Sequence, residues 1–273
     1  MKLGVNGREA FVYTGGKSFD PALPAVVFVH GAMHDHSVWG LQTRALAHHG
    51  HAVLAVDLPG HGRSAGPALG SVEASAQWLI DLLDAAGVQR TALVGHSMGS
   101  LIALEAAARL GERATHLVLV GTAIPMKVSP ALLTTSLEAP LKAIDMVNAF
   151  SHSTLGAKPS SPAPGFWLRG GNRALMRRQQ AAYAAAGHGN LFHQDFLVCD
   201  SYTAGLEAAA KVRCPARLIL GANDQMTAPK GTAAVAAALH ANCVTLPAGH
   251  SLMGEAPDGV LNEVQSFISG SCT

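Results

Sequence analysis

The chain has 273 residues, the size of one α/β domain carrying an insertion. About half of them are hydrophobic and only 14% are charged, which suits a parallel sheet covered by helices. The net charge of +1, with no basic stripe, leaves no electrostatic footprint for nucleic acid.

The first residues, Met1 to Arg8, lack the apolar core of a signal peptide. No run of about 18 apolar residues is present, so no membrane span is expected and a cytoplasmic protein is the natural reading. Cys199, Cys214, Cys243 and Cys272 lie far apart and form no Cys-x-x-Cys pair. They read as reduced structural thiols, not as a disulfide framework or a metal site.

Leu3 to Tyr13 reads as a hairpin turning at Asn6-Gly7. Ala25 to Val29 is a short apolar run of the kind found in buried parallel strands, and it ends in His30-Gly31-Ala32-Met33. His34-Asp35-His36 precedes a helix starting near Val38-Trp39, and Asp35 or Ser37 can cap it. No Glu or Cys completes a zinc set there, so no metal is expected. Ala52 to Val56 is the next buried strand. It leads into the tight loop Asp57-Leu58-Pro59-Gly60-His61-Gly62-Arg63-Ser64, where Asp57 is expected to accept loop N–H groups and to pair with Arg63. Ser71 to Ala86 reads as an amphipathic helix ended by Gly87.

Thr91 to His96 is again strand-like. It runs into Gly95-His96-Ser97-Met98-Gly99 and then into a helical pattern to about Leu110. Strand, Gly-x-Ser-x-Gly and helix in succession are the context of a nucleophile elbow, which lifts a serine hydroxyl above the end of a sheet. The Met98 N–H opens the helix, where the dipole favours a developing negative charge.

His116 to Gly121 reads as another strand. From Thr122 to about Tyr202 the strand–helix rhythm stops, and helical stretches are expected at Ala131 to Phe150 and Arg173 to Ala186. This segment is expected to be a helical cap, residues 122–202, set into a core of residues 1–121 and 203–273. Phe166, Trp167, Phe192 and Phe196 are candidates to line a pocket beneath it, with Met33 and Met226 from the core. The rhythm resumes with Ala216 to Leu220, which ends in Gly221-Ala222-Asn223-Asp224. A helix follows from Lys230 to Leu239, then a strand from Asn242 to Leu246, then Gly249-His250 and a last helix to about Ile268.

Parallel strands alternating with helices imply a doubly wound, mostly parallel α/β sheet whose carboxyl-end loops share one face. Ala32, Ser97-Met98, Asp224 and His250 each follow an expected strand and therefore converge. Their order, Ser, Asp, His, is that of an α/β-hydrolase triad. On His30-Gly31-Ala32, Asp57 to Ser64, Gly95 to Gly99, Gly221 to Asp224 and Gly249-His250 the chain resembles the α/β-hydrolase superfamily, and within it the capped esterases and cofactor-free haloperoxidases. Ser100 departs from the pattern, standing where many relatives carry a third glycine, and the loop after His30 is not the triple-glycine type of many lipases.

The resemblance implies a serine hydrolase acting on a small-molecule ester, thioester or lactone. Ser97 would be the nucleophile, His250 the base and Asp224 its orienter. The N–H groups of Ala32 and Met98 would form the oxyanion hole. No cofactor or metal is required by that chemistry. The same triad can hydrolyse carbon–carbon bonds in β-diketone-like substrates, for which Arg169, Arg173, Arg177 or Arg178 would bind a substrate group. A non-catalytic, receptor-like ligand binder is the alternative outside enzymes. Oligomeric state has no signature in the sequence.

Overall fold

The computed structural model describes residues 1–153 and 164–270, with side chains placed in the second segment from Leu168 onward. Eight strands form one sheet: β1 (Lys2–Val5), β2 (Arg8–Tyr13), β3 (Ala25–Val29), β4 (Ala52–Val56), β5 (Thr91–His96), β6 (Ala114–Val120), β7 (Ala216–Gly221) and β8 (Asn242–Leu246). Their order across the sheet is β1-β2-β4-β3-β5-β6-β7-β8. The β1–β2 hairpin and the β2–β4 pair are antiparallel, and all other pairs are parallel. Asn6 and Gly7 take φ of 50° and 77°, the left-handed pair that a two-residue turn of this type requires.

Eleven α-helices are described: α1 (Gly40–His48), α2 (Val72–Ala85), α3 (Met98–Leu110), α4 (Pro130–Glu138), α5 (Pro140–Phe150), α6 (Pro164–Ala185), α7 (Leu191–Ser201), α8 (Gly205–Lys211), α9 (Ala233–Ala238), α10 (Leu252–Glu255) and α11 (Pro257–Ser269). Alternate strand residues point to opposite faces, and the two faces build two cores. Val27, Val29, Leu54 and Leu93 pack with Leu79 of α2, Leu101 of α3 and Ala208 of α8. Val26, Phe28 and Val53 pack with Leu46 of α1 and with Val260 and Val264 of α11. None of the described helices is long and apolar enough to cross a membrane.

The chain leaves β3 for β4 on one side and then crosses back to β5 on the other. β3 is thus the switch point at which open α/β sheets form their crevice. Val29 pairs in register with Gly95, so the loops after β3 and β5 rise from the same height. This register brings segments more than sixty residues apart to one spot.

Helices α4 to α7 lie between β6 and β7 and share a third core, including Ile144, Val147, Met176, Tyr183, Leu191 and Phe192. The single helix expected from Ala131 to Phe150 is two helices. Ala139, which precedes Pro140, has φ −145° and ψ 69°, because a proline ring excludes helical backbone at the residue before it. The helix expected from Lys230 is a 3-10 turn, Pro229–Thr232, followed by the short α9. Asp57 does accept loop N–H groups, but the expected pairing with the Arg63 side chain is absent. Its Oδ2 takes the Arg63 backbone N–H at 2.9 Å, while the guanidinium lies 4.7 Å from the centre of the Phe11 ring.

Helix α3 lies close against the sheet. A Cβ on Gly95 would strike the Gly99 carbonyl, and a Cβ on Gly99 would strike the carbonyls of Val29 and His30. Backbone cannot yield as a side-chain end can, so Gly99→Ala is expected to lower stability by about 1–3 kcal/mol. Gly170→Ala, on α6 with open space around its Cβ, is expected to raise stability by about 0.5–1 kcal/mol. Thermal melts of the two variants beside wild type test the contrast.

Candidate active site

Ser97 stands between the last residue of β5 and the first of α3, with φ 52° and ψ −122°. A side chain held at such φ costs about 1–3 kcal/mol and needs its surroundings to hold it there. Its own N–H donates to the Val120 carbonyl at 3.0 Å, and its carbonyl accepts the Ser100 N–H at 2.8 Å. The Ser100 hydroxyl also donates to the Ser97 carbonyl, at 2.5 Å, and shares a hydrogen bond of 2.8 Å with the Thr122 hydroxyl. The serine at position 100 thus ties down the elbow that a glycine would leave looser.

His250 follows β8 and Asp224 follows β7. His250 Nδ1 donates to Asp224 Oδ2 at 2.9 Å, which leaves Nε2 for a reacting group. Asp224 also accepts the Thr227 hydroxyl at 2.7 Å on Oδ2, and the N–H groups of Met226 and Thr227, both at 2.8 Å, on Oδ1. Burial is the largest single influence on Asp224 and opposes its ionisation. The His250 charge and the bonds from His250 and Thr227 outweigh it and hold the carboxyl far below the usual carboxylate range. Glu255 fixes the histidine loop from behind, accepting the Gly249 N–H at 2.7 Å. His96 donates through Nε2 to the His250 carbonyl at 2.9 Å. Burial, followed by the His250 charge, pushes its pKa well down, so it serves as a neutral prop.

A cavity of about 310 Å³ opens over these residues and is lined by Ala32, Ser97 and His250 together. Its walls are mostly apolar: Met126, Val128, Leu132, Met146, Val147, Phe150, Phe196 and Met226. Of the residues expected to line a pocket, Phe196 and Met226 are among these walls. Met33 and Phe192 are not among the lining residues. Both are fully buried in the core of the inserted helices, where the Phe192 ring stacks on Phe196 at 4.4 Å. The side chains of Phe166 and Trp167 lie outside the described residues.

The Ala32 N–H is aimed by its own peptide unit. A planar trans peptide points its N–H opposite its C=O. The Gly31 carbonyl is held by His30 Nδ1 at 2.8 Å and by the His34 N–H at 3.3 Å, so the Ala32 N–H is turned away from both. His30 Nε2 accepts the Leu58 N–H at 3.1 Å. Both ring atoms are thereby committed to the neutral tautomer. Burial, followed by the charge of His61, agrees by lowering its pKa to about 4. The Met98 N–H is one of the first in α3 and lacks an intrahelical acceptor by construction.

One buried carboxylate at this face carries no signal in the sequence. Asp195, on α7, is buried and accepts both the Met33 N–H at 2.8 Å and His61 Nε2 at 2.9 Å. Asp35, His36 and Asp57 place ligand-type atoms within 4.8 Å of one another. Asp57 is already occupied, though, by the N–H and Nδ1 of His36 and by the Arg63 N–H.

Fold and elbow together define an α/β hydrolase. The α/β hydrolase family model matches residues 26–263, and the chain belongs to that family. Among curated relatives, the sn-1-specific diacylglycerol lipase ABHD11 of Mus musculus is 33% identical over 135 residues, 49% of this chain and 44% of that protein. An epoxide hydrolase of Caballeronia sordidicola is 39% identical over 87 residues, 31% of this chain and 26% of its own length. The matches thus span less than half of these relatives. The crystal structure of the enol-lactonase from Burkholderia xenovorans LB400 superimposes with a TM-score of 0.83 at 23% identity, covering 99% of this chain and all of that one.

The His61–Asp195 pair has a pH signature. Burial disfavours the His61 cation most, yet Asp195, the Pro59 carbonyl and Asp57 together raise its pKa above 6.5. A raised histidine stabilises the fold fully below its unfolded pKa and loses that contribution as pH rises through the folded value. The difference in Tm between wild type and His61→Gln is therefore expected to be largest below pH 6.5 and to shrink above it. Melting curves across a pH series would contradict the charged pair if the difference stayed constant.

Proposed function

We propose that the protein is a serine hydrolase that cleaves a carboxylic ester, or a thioester or lactone, through an acyl-enzyme on Ser97. The observation that carries this reading is the joint opening of Ala32, Ser97 and His250 onto one apolar cavity, with Asp224 bonded to the far nitrogen of His250. In the proposed cycle His250 Nε2 takes the Ser97 proton as the hydroxyl attacks the acyl carbon. The N–H groups of Ala32 and Met98 hold the tetrahedral oxyanion, a contribution often worth about 3 kcal/mol per donor. His250 then protonates the departing alcohol and activates the water that frees the acyl group. Asp224 holds the tautomer and offsets the imidazolium charge. Residues 122–202 act as the cap over this site, within a cytoplasmic enzyme.

The substrate is read from the walls. Among the described residues that line the cavity, Lys127 is the one lysine or arginine, and its ammonium donates to the Asp200 carbonyl at 2.6 Å. An uncharged, apolar acyl or alcohol portion of moderate size fits such a lining. The ester-type bonds named for the similar lipase and lactonase agree with this class. Carbon–carbon hydrolysis gains less support: none of Arg169, Arg173, Arg177 and Arg178 lines this cavity, while Arg178, which faces Asp35, lines a second cavity that also reaches His250, and Arg173 faces Asp145. A hydroxyl nucleophile also argues against epoxide opening, which uses a carboxylate at this position.

A fluorophosphonate is expected to add once to the wild-type protein and not to Ser97→Ala, read by intact mass. Ser97→Ala should keep its fold and lose nearly all hydrolysis of short and medium p-nitrophenyl esters. Asp224→Asn should lower kcat by about 10⁴-fold, because the wrong imidazole tautomer then faces Ser97. Failure to label the wild type would favour a non-catalytic ligand binder.

A further inference from the structure

The loop that carries the candidate oxyanion donor is fastened to the inserted helices at several points: Asn172, Arg178 and Gln179 of α6 hold His34 and Asp35, and a buried carboxylate of α7 holds Met33, the residue next to the donor. Asp195 sits on α7, 162 residues after Met33 and 134 after His61. One oxygen, Oδ2, receives the Met33 N–H at 2.8 Å and His61 Nε2 at 2.9 Å. Only 2% of the residue is exposed, so neither bond competes with bulk water. His61 in turn donates from Nδ1 to the Pro59 carbonyl at 3.1 Å, which ties the loop after β4 into the same knot.

Met33 needs such a hold. Its φ is 63°, the left-handed region that a methionine rarely adopts. Its side chain is fully buried among Ile144 of α5, Met176 of α6 and Phe192 of α7. Backbone and side chain of one residue are therefore both gripped by the inserted helices. The neighbouring peptide is held at its Gly31 carbonyl by His30 from the core and by the N–H of His34, a residue that Asn172 and Gln179 of α6 hold in turn. Ala32 lies between a peptide whose carbonyl His30 holds from the core and one whose N–H Asp195 holds from α7.

We infer that Asp195 is a positioning residue for the Ala32 N–H, so that the oxyanion hole is complete only when α7 is seated on the core. The inference rests on the serine-hydrolase reading. It adds that the cap contributes to chemistry and not only to substrate enclosure. The carboxylate acts through the Ala32–Met33 peptide and touches no reacting atom. Its loss should therefore lower turnover per competent site and leave ground-state binding in the apolar cavity largely intact.

The test is steady-state ester hydrolysis normalised to active sites counted by complete fluorophosphonate titration, with thermal melts alongside. For Asp195→Ala, kcat per titrated site is expected to fall about 10- to 100-fold, with KM within about threefold of wild type. Asp195→Asn keeps an oxygen for the Met33 N–H and should recover most of the turnover, while melting lower because His61 has lost its anion. Should Asp195→Ala not fold, Asp195→Glu keeps the charge but displaces the oxygen, and carries the same expected loss. Unchanged kcat per site in the folded variants, or a loss confined to the number of titratable sites, would mean a purely structural residue and overturn the inference. Equal loss in Asp195→Asn and Asp195→Ala would overturn it too. An unlabelled wild-type protein would instead overturn the serine reading on which it stands.

Discussion

The closeness of α3 to the sheet is the constraint on which the rest of the molecule depends. At Gly95 and Gly99 backbone meets backbone with no room for a methyl group. That contact forces the chain to turn within one residue, and Ser97 is the residue that absorbs the turn. Everything that could act with Ser97 must then arrive from the ends of β3, β7 and β8. The parallel registers of β3 with β5, β5 with β6, β6 with β7 and β7 with β8 deliver those ends to the same side. Tight helix packing and strained serine are one feature seen from two sides.

Around this frame the buried histidines are sorted by what faces their ring atoms. His30 meets a backbone acceptor and a backbone donor, His96 meets one backbone acceptor, and burial keeps both uncharged. His61, equally buried, faces a carboxylate and is driven the other way. The rings of His30 and His61 are 5.0 Å apart, so the two charge states also reinforce each other: one cation disfavours a second. Low dielectric thus gives chemically identical side chains different jobs within a few ångströms.

The sheet was legible in the sequence because parallel strands buried on both faces are written as short runs such as Ala25–Val29 and Ala52–Val56, in which every residue is buried. The elbow was legible because Gly-x-Ser-x-Gly joined such a run to a helical pattern. Residues such as Asp224 and His250 could be chosen by position, since each follows a strand. The inserted helices have no comparable frame. On α7, Phe192 and Phe196 are one turn apart and stacked, yet Phe196 reaches the cavity and Phe192 does not. Only the packing of α5 and α6 against α7 decides that difference. Asp195 was equally opaque, because a lone carboxylate after His193-Gln194 reads as part of a solvated face until its partners from two distant loops are in place. One local signal was available for α7. Asn190 accepts the His193 N–H at 3.0 Å and caps it, and an asparagine ahead of an apolar run marks a helix start.

Helix α3 has ten buried residues among its thirteen, an all-round burial that few surface helices share. Amide protons in such an element exchange with solvent only when the whole domain opens, whereas loops and peripheral helices open in smaller, more frequent excursions. The face that holds Ser97 therefore joins two regimes of motion. The serine rides on a helix buried on almost every side, and the wall opposite it is built from helices with a separate core of their own.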